Sequence, residues 1–214
     1  SLMDEEIELI NTNTRNEKIK NFLSINKKKI IISICALTLL IILYFLFLEI
    51  KERSKIKLAE RYNKITIEYL SDKKKDIKDR LVEIINENDS TYSPLALYFL
   101  IDNQILKQND EINELFDQVI NKTKLEKEIK NLIIYKKGLF NSDFLSESEL
   151  LNILNPIINS ESVWKPHALY LIAEYFYSRG EKVKSKEFFD KIVGMQNNNP
   201  HIKLESQKRL NRDF

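Results

Sequence analysis

Side chains able to do acid–base or nucleophilic work are scarce in this chain of 214 residues. Its two histidines, His167 and His201, each follow a proline and so fall in the first turn of a helix, where a surface position is expected. The carboxylates Glu126, Glu128, Glu147 and Glu149 alternate with lysine, serine or apolar residues, the pattern of a solvated helix face. No GxGxxG, GxxxxGKS, GxxxxGKT, HExxH or GxSxG pattern occurs, and three glycines in total leave no material for a phosphate-cradling loop. The single cysteine, Cys35, can build neither a disulfide framework nor a cysteine metal site. These residues predict no enzyme, no cofactor, no metal and no small-molecule substrate. With 34 Lys and Arg against 32 Asp and Glu, the formal charge of +2 also lacks the basic footprint of a nucleic-acid binder.

The chemistry that remains is surface complementarity, and it depends on the elements that present it. From Ile30 to Leu48 the sequence IIISICALTLLIILYFLFL carries no charge at all. At about 1.5 Å per residue it covers a hydrocarbon core of roughly 30 Å. The preceding segment carries Asp4, Glu5, Glu6 and Glu8, and Glu49-Ile50-Lys51-Glu52 offers no small-residue cleavage site, so an uncleaved signal anchor is expected. Arg15, Lys18, Lys20 and Lys27 to Lys29 precede the span, while Lys51, Arg53, Lys55, Lys57 and Arg61 follow it. The abutting Lys27-Lys28-Lys29 triplet places the N-terminus inside and everything after Leu48 across the membrane.

After the span, Leu58, Tyr62, Ile65 and Tyr69 recur at steps of four, three and four, so the helix continues with an amphipathic face to about Leu70. Ser71-Asp72 is expected to cap a second helix from about Lys73 to Asn88 with Ile77, Leu81 and Ile84 on one face. Beyond it the chain matches itself. Pro94-Leu95-Ala96-Leu97-Tyr98 aligns with Pro166-His167-Ala168-Leu169-Tyr170, Asp102 meets Glu174 at the same offset, and after a one-residue slip Phe116 to Ile120 meet Phe189 to Val193. The offset from Pro94 to Pro166 is about twice the tetratricopeptide period. A middle unit fits between, with helices at Leu125 to Phe140 and Glu147 to Asn155, the second opened by a Ser146–Glu149 capping box. In the third unit Ala173 is the small residue at a close helix approach, Gly180 ends the first helix, and Ser185 and Phe189 follow in the second. Pro200 opens a final helix to about Asn211 that caps the stack.

The expected fold is therefore all-α: one N-terminal transmembrane helix, then a tetratricopeptide-like right-handed α-solenoid of about three degenerate repeats with a capping helix. Residues 1–29 form a short cytoplasmic segment, 30–48 the span, 49–90 a linker helix and first hairpin, and 91–214 the repeats and cap. Stacked helix pairs leave the first helix of each repeat lining a concave groove. Its expected lining is Leu95, Tyr98, Asp102 and Ile105 from the first unit and His167, Tyr170, Glu174 and Tyr177 from the third. Paired tyrosines beside acids suit an extended or helical peptide with basic character.

Asn88 to Ala96, an acidic and small-residue turn before a Tyr-x-x-Leu-Ala start, and the Trp164 to Arg179 helix resemble the bacterial ancillary SecYEG translocon subunit family, the YfgM-like tetratricopeptide proteins. The resemblance covers most of the chain and implies an inner-membrane protein with N-in topology and a periplasmic helical domain. It further implies partners in SecYEG, a membrane-anchored prolyl-isomerase-type chaperone and translocating chains. Ile, Lys and Asn replace that family's glycine- and alanine-rich helices, and no established functional residue carries over. A cell-envelope or division coordinator using the same groove is the competing expectation, and an enzyme with an unrecognised site is a third.

Overall fold

The computed structural model describes residues 2–71, 76–196 and 199–214, with side chains from Thr14 onward. Among these residues all regular structure is helical, in nine helices: α1 Leu2–Leu70, α2 Ile77–Asn86, α3 Tyr92–Asp102, α4 Asn109–Lys122, α5 Lys127–Asn141, α6 Glu147–Ile158, α7 Lys165–Ser178, α8 Lys182–Gly194 and α9 Pro200–Asp213. The chain divides into two units, Ser1–Lys57 and Leu58–Phe214.

The first unit is the larger part of α1. Every residue from Ile31 to Ile50 is exposed, and the most apolar stretch of 18 residues has a mean hydropathy of 3.0 with none of it buried. The Thr38 hydroxyl donates to the Ile34 carbonyl at 2.8 Å, so its polar group is satisfied within the helix. A helix greasy on every face with its apolar stretch unburied gains nothing in water, whereas in hydrocarbon its backbone is already fully paired. This one N-terminal helix is long and apolar enough to span a membrane.

In the second unit the last turns of α1 form the amphipathic continuation read from the 4-3-4 spacing. Leu58 and Ile65 are buried, and Tyr62 and Tyr69 set their rings against Phe99 of α3 at 6.4 and 5.3 Å. Arg61 bonds Glu83 of α2 and Glu87 just past its end, and Arg80 of α2 returns the contact to Glu68. The expected start of α2 at Lys73, and its Asp72 cap, lie outside the described residues. As described, α2 opens at Ile77 behind Asp76, whose φ of 57° is left-handed, and closes before Asn88, another residue type that tolerates that region. Asp89 then caps α3, its Oδ1 accepting the Thr91 and Tyr92 amides at 2.8 Å.

The remaining boundaries follow local chemistry. Glu149 reaches back to Ser146, accepting its amide at 2.9 Å and its hydroxyl at 2.6 Å, which holds the Glu149 carboxyl below its ordinary value. Gly180 ends α7 at φ 77°, where a Cβ would be strained. Asn199 caps α9 by accepting from the His201 and Ile202 amides. Pro166 is the second residue of α7 and Pro94 the third of α3, so the prolines sit within the first turn, one or two places later than the first helical position.

Close contacts join helices one or two places apart along the chain, from α2 against α3 and α4 through to α7 against α8 and α9. The core runs along the layer between them, with Leu81, Ile84, Ala96, Leu97, Phe116, Ile133, Leu154, Ala173, Phe176 and Phe189 all but fully buried. Small residues sit where helices meet. The Ser185 hydroxyl of α8 donates to the Ala173 carbonyl of α7 at 2.8 Å, and the Ser93 hydroxyl of α3 donates to the Ile84 carbonyl of α2 at 3.1 Å. Asn113 and Asn141 exchange amide hydrogen bonds of 2.9 and 2.7 Å between α4 and α5.

Gly138 marks a close approach of α5 to α6, since a Cβ there would lie 2.6 Å from Leu154 Cδ2 and 3.1 Å from its Cγ. Alanine gains about 1 kcal/mol of helix propensity over glycine, but overpacking a filled core costs roughly 1 to 3 kcal/mol. Leu154 is 0 % exposed and has nowhere to move, so the clash wins. Gly138→Ala is expected to destabilise the unit by about 1 kcal/mol net, read as a lower urea midpoint at unchanged slope.

Candidate protein-binding surface

Tyr98 and Asp102 sit one turn apart on α3, which puts both on the face turned toward α4 and α5. Phe116 of α4 backs them, and Lys136, Leu139 and Phe140 of α5 complete a cleft of ≈ 170 Å³ with Ile101. The Lys136 ammonium lies 3.9 Å from the centre of the Tyr98 ring, a cation over an aromatic face. The Tyr98 hydroxyl is buried with no hydrogen-bond partner among the described residues. Burial first, and then the Asp102 charge, push its pKa up to about 12, so the ring stays neutral and keeps its proton to donate.

A corresponding set of residues recurs at the other end of the unit. Tyr170 and Glu174 lie on α7, the Tyr170 ring is 5.4 Å from Phe189 of α8, and Arg209 of α9 forms an ion pair with Glu174, its Nη2 donating to Oε2 at 2.9 Å. Tyr98, Asp102, Phe116 and Lys136 therefore correspond to Tyr170, Glu174, Phe189 and Arg209, the last two pairs set one place further apart in the chain than the first two. Buried Ala96, Leu97 and Val119 likewise correspond to buried Ala168, Leu169 and Ile192. Reading the sequence did not single out Lys136 and Arg209, although carrying the offset of Phe116 and Phe189 one helix further reaches them.

In the second copy the cation is locked in. Arg209 is 13 % exposed, pairs with Glu174 and Asp213, and lies over the rings of Tyr177 and Phe189 at 4.3 and 5.7 Å. The Phe214 ring closes the cluster, 5.9 Å from Tyr177 and 6.1 Å from Phe189. Arg209→Ala is expected to cost about 2 kcal/mol, because it strips both the Glu174 pair and the ring contacts from a buried cation site. Arg209→Lys is expected to recover only part of that, since an ammonium lacks the planar fork. Thermal unfolding of the three proteins checks the order.

His167 stands apart from both copies. Its ring lies 5.0 Å from Trp164 and 5.9 Å from Tyr135 of α5, and Tyr135 and Trp164 stack at 20°. Burial among these rings lowers the His167 pKa from its ordinary 6.5. The unfolded chain thus takes up a proton before the folded one does. The stability contributed by neutral His167 is complete above pH 6.5 and is lost as pH falls through the lower folded value. A His167→Gln chain is expected to show a flatter loss of stability below that pH in urea titrations.

The eight residues expected to line one groove thus fall into separate surroundings. Tyr98 and Asp102 share the α3–α4–α5 cleft; Tyr170, Glu174 and Tyr177 share the Arg209 cluster; His167 joins Trp164 and Tyr135; Leu95, its counterpart in the repeat, is exposed on α3. Ile105 lines a different hollow of ≈ 450 Å³ with Tyr69, Ile77 and Asn103. Compared with family models, with curated proteins and with solved structures, the chain matches none.

Proposed function

We propose that the chain is a membrane-anchored protein-binding scaffold, held in the bacterial inner membrane by α1 with its N-terminus in the cytoplasm and its helical unit in the periplasm. The observation that carries this reading is the recurrence of one tyrosine, acid, phenylalanine and cation set on successively packed helices, beside a helix apolar enough to anchor it. Close contacts between helices one or two places apart support a tetratricopeptide-like right-handed solenoid, in which each unit leans on its neighbours and an extended face is left for a partner. Aromatic rings beside carboxylates on that face suit a polypeptide ligand.

The partner assignment rests on the resemblance of Asn88 to Ala96 and of the Trp164 to Arg179 helix to the ancillary SecYEG subunit family. On it, the scaffold holds a membrane-anchored prolyl-isomerase-type chaperone or emerging chains beside the Sec channel. Crosslinking in intact membranes, followed by mass spectrometry of the captured proteins, is expected to recover Sec channel subunits and such a chaperone. Recovery of peptidoglycan-synthesis or division proteins in their place, with septal localisation, would transfer the scaffold to envelope coordination.

A further inference from the structure

Between the two copies of the tyrosine–acid set, one is filled and one is open. Where the second copy carries Arg209, Arg212 and Asp213, the first carries Lys136, Leu139 and Phe140, at the same offset that relates Phe116 to Phe189. Arg209 and Glu174 are long enough to meet, and the Arg209 guanidinium, also paired with Asp213, lies over the Phe189 ring at 5.7 Å. Asp102 is one methylene shorter than Glu174, and the Lys136 ammonium rests on the Tyr98 ring; no ion pair joins them among the described residues. The space in front of Phe116 is left as the ≈ 170 Å³ cleft, walled by Tyr98, Ile101, Phe116 and Phe140. At its mouth Leu139 is 49 % exposed. Such exposed hydrocarbon around a hollow of one side chain's size is stabilised by an apolar occupant, and the carboxylate at the rim by a cation.

We propose that this cleft is a socket for one large apolar side chain of a partner polypeptide, with a lysine or arginine beside it facing Asp102. The socket deepens the scaffold reading and rests on it. Lys136 supplies a donor for a carbonyl of the inserted segment, and Asp102 supplies the selectivity for a basic flank.

The test uses the full chain in lipid nanodiscs and three fluorescein-labelled peptides on one Ser/Gly background, carrying Phe-Arg, Phe-Glu or Ser-Arg at the centre. Fluorescence anisotropy is expected to show the Phe-Arg peptide binding about tenfold or more tighter than either of the others. Asp102→Lys is expected to invert the Phe-Arg over Phe-Glu preference. Leu139→Asp, at a position outside the core, is expected to abolish binding while Trp164 emission stays that of the folded chain. Equal binding of the three peptides, no binding of any, or indifference to both substitutions would overturn the socket. So would a wild-type dimer in sedimentation that Leu139→Asp converts to monomer, since the cleft would then take a second copy. The two readings fail separately: crosslinked partners that persist in Leu139→Asp membranes sink the socket alone, whereas absence of any crosslinked protein in the wild type sinks the scaffold.

Discussion

Arginine in place of both Leu39 and Ile42 is expected to release the chain from the membrane. The two positions sit near the middle of the apolar stretch and are 57 % and 50 % exposed. One arginine at the centre of a spanning helix costs roughly 3 kcal/mol, so two shift the insertion equilibrium by about four orders of magnitude. Arginines near a span's ends escape this by reaching the headgroups, which these two cannot do. Alkaline carbonate extraction reads the result directly: the unaltered chain stays in the membrane pellet and the variant moves to the supernatant. Glutamine in place of Lys28, outside the stretch, is expected to leave the pellet unchanged. A double-arginine chain that still resists extraction would mean that something other than α1 holds it to lipid.

Truncating either phenylalanine at the heart of the two copies is expected to bring the helical unit close to unfolding. Phe116 is 1 % exposed and Phe189 0 %, each packed against a second phenylalanine, and Phe116 lines the same cleft as Tyr98 while Phe189 sets its ring against Tyr170. Phe-to-Ala changes at such sites cost about 3 to 5 kcal/mol, a large share of a domain stability of order 5 to 15 kcal/mol. The only tryptophan, Trp164, lies in this unit, so its emission in a urea titration reports the helical unit without interference from the anchor. Phe144, 64 % exposed, is the control and is expected to cost under about 0.5 kcal/mol as alanine. Comparable losses at Phe116 and Phe189 are the energetic signature of two equivalent sites; a loss under about 1 kcal/mol at one of them would show that the two are not packed alike.

Helical class, the apolar N-terminal helix and many helix ends were legible because their causes are local. The uncharged run from Ile30 to Leu48, the Ser146–Glu149 pair, Gly180 and Pro200 each act within a short reach of themselves. The amphipathic continuation of α1 was legible for the same reason, as Leu58, Tyr62, Ile65 and Tyr69 keep a helical period and turn one face to α2 and α3. What stayed hidden depends on partners far along the chain. Nothing near Gly138 announces that Leu154 will press against it, and nothing near Asn141 announces Asn113. The expected groove lining came from spacing along single helices, which says which residues share a face but not which later helix covers it. Hence spacing makes Glu174 the equal of Asp102, although Arg209 engages one and no cation engages the other among the described residues. Composition also hides the difference between a lysine that rests on a ring, as Lys136 does, and an arginine that bridges two carboxylates.

Protease digestion of spheroplasts tests the account most directly, because it asks at once whether α1 crosses the bilayer and on which side the helical unit works. Proteinase added from outside is expected to remove the region after Leu48 from intact spheroplasts, leaving a short membrane-embedded fragment that an N-terminal tag identifies. Full protection of the chain until the spheroplasts are lysed would contradict it, since the helical unit would then face the cytoplasm.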